Sequence, residues 1–291
     1  MNLATFLLDG RPRVGVVSGD GVLALPESVG NDVGTLAAAG LSAEQLRNLY
    51  AQAAPVADAS ALTYLPPVIH PPKILCVGLN YADHTKESPY EQPDYPTLFL
   101  RVSTSLVGHA SAIVRPLASD SLDFEGELAV VIGRGGKHIA KEAALSHVFG
   151  YSIFNDGSVR EYQFLSPQWT VGKNFDATGA FGPVLVTADS LPPGAAGLRL
   201  ETRLNGQIVQ SANTSDMLYD VASLISIISE AITLEPGDVI VAGTPSGIGW
   251  ARNPKLMMRH GDVCEVTIEG IGTLSNPIVD EQTHQTVVLA F

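Results

Sequence analysis

Short apolar runs punctuated by glycine and proline dominate the chain, and most have the length of strands rather than helices. Asn2–Leu8 and Arg13–Val17 flank the turn Asp9-Gly10-Arg11-Pro12, and Gly21–Leu25 offers a third strand. Ser42 with Gln45 three residues on has the form of a capping box, and Leu46 and Leu49 give the following helix one apolar face up to Ala54. Leu65–Pro72 follows neither period and carries four prolines, which predicts a stiff connector. A boundary there divides the chain into a small N-terminal α/β domain, residues 1–66, and a larger domain, residues 73–291.

The larger part reads as strands at Ile74–Val77, Leu98–Leu100, Leu128–Ile132, Tyr151–Phe154, Val184–Val186, Leu198–Leu204, Val239–Val241, Val263–Ile268 and Ile271–Leu274. Asn205-Gly206 between Leu198–Leu204 and Gln207–Gln210 is a hairpin signal, because both residues tolerate positive φ. Helices are expected at Ala143–Val148, ending at Gly150, and at Asp220–Ile232, where Val221, Leu224, Ile225 and Ile228 share one face before Glu235-Pro236-Gly237. Strands that outnumber helices without regular βαβ alternation point to a sheet-dominated α+β fold.

Composition adds exclusions. With 291 residues and 45% hydrophobic types, the chain can bury a substantial core. The net charge is -13 and no stretch concentrates Lys and Arg, so there is no footprint for a nucleic acid backbone. No run reaches the length a bilayer requires, and Met1–Leu8 lacks the basic flank of a signal peptide. Cys76 and Cys264 sit in apolar strands and read as small buried residues, which fits a reducing, cytoplasmic setting.

Candidate chemistry gathers in five segments. In Leu122–Gly133, Asp123, Glu125 and Glu127 alternate directly before an apolar strand, so period-two geometry would project all three from one face. Such a face is either solvated or neutralised by a hard cation such as Mg²⁺, Mn²⁺ or Ca²⁺. Asp156 ends the strand Tyr151–Phe154, where it can complete a three-carboxylate site or cap the segment from Ser158; Arg160 and Gln163 follow. His84 and Glu87 would be neighbours on a helical turn, either as an exposed pair or as an imidazole oriented for proton transfer. Lys173 stands among polar and aromatic residues in Trp169–Asp176, and Ala242–Gly249 is a glycine-rich turn without the lysine of a phosphate-binding loop.

Taken together and in this order, Gly78–Glu87, Pro96–Leu100, Asp123–Gly133, Asn155–Gln163, Gly172–Asp176, Leu234–Asp238 and Gly243–Gly249 closely resemble the fumarylacetoacetate hydrolase superfamily, from about Lys73 to Val279. The resemblance implies a mixed β-sandwich roll, usually a homodimer, with Glu125, Glu127 and Asp156 binding Mg²⁺ or Mn²⁺. It implies His84 and Glu87 as a catalytic dyad on a lid, Lys173 and Gln163 at the reacting carbonyl, and Thr244 at the substrate's carboxylate end. Arg160 and Tyr162 match positions beside the pocket. The reaction so implied is hydrolysis of a C–C bond in a 2,4-dioxo acid such as fumarylpyruvate, maleylpyruvate or fumarylacetoacetate, with His84 activating water.

The same site could instead serve oxaloacetate decarboxylation or isomerisation of 2-hydroxyhepta-2,4-diene-1,7-dioate. A non-catalytic dicarboxylate-binding protein is the remote alternative. Three departures from the family pattern are Arg101-Val102 for Lys-Pro, Gly157 for Val and Glu161 for Asp. The first bears on pocket shape.

Overall fold

The computed structural model describes residues 1–19, 21–41, 43–58, 61–87 and 91–282. Ser42, the expected cap, and the tail from 283 lie outside them; the helix itself spans Ala43–Ala51. No helix among the described residues is long and apolar enough to cross a membrane.

Two mixed sheets, with the short strand pair Leu122–Asp123 and Ser158–Val159 beside them, account for the architecture, as the strand-rich pattern predicts. The larger runs in the order Ala54–Asp58, Gly21–Ala24, Arg11–Ser18, Asn2–Leu8, Gly179–Thr187, Val148–Asp156, Gly126–Ile132, Val239–Val241, Ile74–Gly78 and Thr97–Arg101. The second runs Gln207–Asn213, Arg199–Leu204, Val263–Ile268, Gly272–Asp280 and Ile113–Arg115. Its hairpin turns at Asn205 and Gly206, both at positive φ.

Sequence continuity breaks at the prolines, but the sheet does not. Leu3 pairs with Leu185, so the N-terminal strands extend the larger sheet. The proline segment is itself pinned: Thr5 Oγ1 and the Val33 N–H both donate to the Pro67 carbonyl, and Val68 and Ile69 are buried. Two local expectations also change. The helix near Ala143 is only Lys141–Ala144 followed by a 3₁₀ turn, and Val148 already begins a nine-residue strand. Asp220–Ile232 holds as Val221–Ala231, with the Asp220 side chain accepting the Ser223 N–H.

Gly126–Ile132 is buried along its whole length. Leu128, Val130 and Ile132 face a core shared with Leu200, Val266 and Leu274 of the second sheet. Ala129 and Val131 face the opposite core with Leu3, Val16, Phe154 and Val241. Side chains alternate across a strand, so Glu127 emerges on the face of Ala129 and Val131. On the neighbouring strand, Asp156 emerges on the face of Phe154. The register Glu127 to Phe154, with the Asp156 N–H donating to the Glu125 carbonyl at 2.8 Å, brings the carboxylates together at one end of the sheet.

Candidate active site

At that end, Glu125, Glu127 and Asp156 each offer an oxygen within 4.8 Å of the other two, and all three are buried. The backbone sets them: the Asn155 side chain accepts the Glu125 N–H at 3.0 Å, and Glu127 accepts the N–H of Gly243 from the glycine-rich turn. Asp123 is not with them. The alternation breaks at Phe124 and Glu125, which lie between two strands, and Asp123 turns away to accept the N–H groups of Gly249 and Trp250 at 2.8 and 2.9 Å and Arg160 Nε at 2.8 Å.

Three cations thread through these acids. Lys173 Nζ lies 2.7 Å from Glu125 Oε2 and 2.6 Å from Asp156 Oδ2. Arg160 Nη2 lies 2.7 Å from Glu125 Oε1, near enough for charge attraction but not aligned as a hydrogen bond, while Nη1 donates to Gln163 Oε1 at 2.9 Å. Arg101 Nη1 donates to Asp156 Oδ1. Glu127 is the one member of the triad without an ion pair among the described residues.

The titration behaviour follows. Burial pushes the Glu125 carboxyl up, but Arg160 and Lys173 outweigh it and hold the group down at about 2. Burial pushes Glu127 up, and the neighbouring charges of Asp156 and Glu125 add to the rise. Burial lowers Lys173, yet Asp156 and Glu125 hold it above its ordinary value. The acids therefore crowd one another at Glu127, which is what a cation would relieve. Three carboxylates with no sulfur or imidazole in the set suit a hard divalent ion. Glu125, Glu127 and Asp156 fit Mg²⁺ or Mn²⁺ on these grounds.

His84 and Glu87 lie on the helix Ala82–Glu87, one turn apart, with His84 Nδ1 3.0 Å from Glu87 Oε1. Glu87 also accepts the Gly247 N–H at 3.0 and 2.9 Å to its two oxygens, which ties the helix to the glycine-rich turn. With Nδ1 engaged, Nε2 is the ring nitrogen left for a ligand. Both residues line a cavity with Glu125, Glu127, Arg160, Gln163, Lys173 and Thr244. The cavity volume is about 40 Å³.

The matching segments thus converge: the family model for the fumarylacetoacetate (FAA) hydrolase C-terminal domain matches residues 73–279. The chain belongs to the fumarylacetoacetate hydrolase family. Among relatives, it is 40% identical over 234 residues to the mitochondrial oxaloacetate tautomerase Fahd2a of Rattus norvegicus, covering 80% of this chain and 74% of the relative. The fumarylacetoacetate hydrolase of Exiguobacterium antarcticum superposes with a TM-score of 0.85 at 37% identity, covering 97% of this chain and 100% of that one. A 2-hydroxyhepta-2,4-diene-1,7-dioate isomerase from Mycobacterium marinum does so at 0.75 and 31%, covering 97% and 99%.

Two residues of the matched segments stand off the cavity wall. Tyr162 does not line the cavity; its ring packs edge-on against Phe175 with centroids 4.9 Å apart. Arg101 does not shape the pocket wall either, since it lies behind Asp156. Sequence reasoning missed the apolar wall of Phe99, Phe164, Trp169, Ile248 and Trp250. It also missed Gln210, whose Nε2 donates to Thr244 Oγ1 at 2.9 Å while its Oε1 accepts the Gly126 N–H. Phe164, Trp169 and Trp250 lie outside the strands and carry no period, and Phe99 is one apolar residue of the strand Thr97–Arg101, so only proximity in the fold marks them.

Proposed function

We propose that this chain is a divalent-metal enzyme that moves a proton in a small 2-oxo diacid, interconverting the keto and enol forms of oxaloacetate or a close analogue. The observation that carries the reading is the His84–Glu87 pair sharing a cavity of about 40 Å³ with Glu125 and Glu127, beside which Asp156 completes the buried carboxylate triad. The 40% identity to a protein named an oxaloacetate tautomerase supports the same chemistry.

A cation held by Glu125, Glu127 and Asp156 would supply Lewis-acid polarisation of the 2-oxo group and its adjacent carboxylate. His84 Nε2 accepts the proton leaving C3 as the C–H bond breaks and returns it to the 2-oxo oxygen to form the enol O–H, while Glu87 holds the ring and offsets the charge it carries in between. Lys173 and Gln163 donate to the oxygen where negative charge grows. Arg160 and Thr244 hold the carboxylate ends. Phe99, Trp169 and Trp250 wall the site from water, which strengthens each of these interactions.

A second reading, hydrolysis of a 2,4-dioxo acid, draws on the same dyad, because an imidazole oriented by a carboxylate can also take a proton from water. Decarboxylation of oxaloacetate would use His84 as a proton donor. Enol absorbance is followed for oxaloacetate and acylpyruvates with Mg²⁺ or Mn²⁺ and again after chelation, with product analysis. Metal-dependent keto–enol equilibration without new products supports the tautomerase. Pyruvate with a second acid supports the hydrolase, pyruvate with carbon dioxide the decarboxylase, and no turnover of any 2-oxo acid refutes the site assignment.

A further inference from the structure

We propose that Arg101 is a positioning residue for the cation site: its guanidinium fixes Asp156 so that one carboxylate oxygen is held from behind and the other is presented to Glu125 and Glu127. The proposal rests on the reading of the triad as a metal site.

Arg101 ends the strand Thr97–Arg101, and its side chain is fully buried beneath the triad. Every donor bearing on its orientation is engaged. Nη1 donates to Asp156 Oδ1 at 2.5 Å and to the Gly157 carbonyl at 3.1 Å, Nη2 to Thr178 Oγ1 at 2.9 Å, and Nε to Ser105 Oγ at 3.2 Å. The group also lies 5.6 Å from the centre of the Phe154 ring. Backbone space is reserved for it: a Cβ on Gly179, which pairs with Asp156 across the sheet, would come within 2.6 Å of Nη2. Asp156 Oδ2 is left on the side of the triad, where Lys173 Nζ meets it.

The fork is what performs this. Four acceptors on three segments are reached by three nitrogens in a fixed plane, whereas a lysine ammonium presents its donors from a single point. A carboxylate whose rear oxygen is anchored cannot swing out of the ligand set. Groups that orient metal ligands from behind typically change metal affinity by 10–100-fold when removed.

The test is calorimetric titration of Mn²⁺ into the metal-stripped full chain, with the Mn²⁺ paramagnetic resonance spectrum and the melting temperature of the stripped protein recorded alongside. Arg101→Lys keeps the charge and loses the fork, so its affinity should fall about tenfold, with a broadened Mn²⁺ spectrum and little change in melting temperature. Arg101→Met should fall nearer a hundredfold. Thr178→Val and Gly179→Ala, which disturb the guanidinium without touching the triad, should weaken binding in the same direction and serve if the Arg101 variants do not fold.

Unchanged affinity in Arg101→Lys, or in Thr178→Val and Gly179→Ala, overturns the proposal. Tighter binding in Arg101→Met would mean the guanidinium acts as a repelling charge, and also overturns it. Failure of the metal reading is separate: the unaltered chain would then bind no Mn²⁺, or Glu127→Ala would bind as well as it does.

Discussion

Asp123 alternates with Glu125 and Glu127 in the sequence, yet the structure makes it an anchor, and replacing it separates the two roles. Its carboxylate is wholly buried and accepts Arg160 Nε at 2.8 Å, the Gly249 N–H at 2.8 Å and the Trp250 N–H at 2.9 Å. Burial raises the group above its ordinary value, with Arg160 opposing that rise. Removing one partner of a buried ion pair typically costs about 3–5 kcal/mol, because the other charge is left uncompensated. Asp123→Asn keeps the shape but only one acceptor oxygen: with that oxygen facing Gly249, the amide nitrogen meets the Trp250 N–H and Arg160 Nε as a third donor, so the ion-pair loss sets a floor of about 3 kcal/mol. At roughly 2–4 °C per kcal/mol for a chain of this size, the melting temperature should drop by at least about 6–12 °C. Thermal unfolding of the metal-stripped protein reads the drop, and Mn²⁺ titration of the same variant should still find a site. A variant that melts like the unaltered chain but binds no cation would refute the anchor and return Asp123 to the ligand set.

Four further outcomes follow from the same geometry. His84→Asn should lower turnover by about 10²–10⁴-fold with Mn²⁺ affinity unchanged, measured by steady-state kinetics beside titration; full activity would remove the imidazole from the reaction. Cation affinity should rise with pH, because Glu127 is raised and must lose its proton to ligate, and titrations at pH 5.5 and 7.5 giving equal affinity would contradict this. In the metal-free protein Glu125, held down at about 2, contributes stability present above its unfolded value and lost as acid drives the pH through the folded one. Glu127 works oppositely: its contribution is full below its unfolded value and is lost as pH rises through the folded one. Finally, a Cβ on Gly249 would collide with the Leu256 carbonyl and lie 2.6 Å from Asp123 Oδ1, so Gly249→Ala should cost about 2 kcal/mol or more in urea unfolding; an unshifted midpoint would show that the turn yields.

Much of this protein was legible along the chain. Strands such as Ile74–Gly78, Gly126–Ile132 and Val263–Ile268 announced themselves because a buried strand needs apolar residues whatever its partners. Glu125, Glu127, Asp156, His84 and Glu87 were identifiable because each sits in a distinctive short segment; the fold brings Glu125, Glu127, His84 and Glu87 to one cavity and sets Asp156 against the two glutamates.

What tertiary structure alone decided was which polar residues face that cavity and which serve from behind it. Asp123 and Glu125 are two residues apart, but a break in the strand sends one to Arg160 and the glycine turn and leaves the other with the triad. Tyr162 and Gln163 are adjacent, yet one packs on Phe175 and the other lines the site. The unity of the sheet across the prolines was equally invisible, since Leu3 and Leu185 meet through pairing that no local pattern encodes. Alternation and propensity are properties of neighbours in the chain. The partners of a buried charge come from segments far apart in sequence, and only the folded packing selects them.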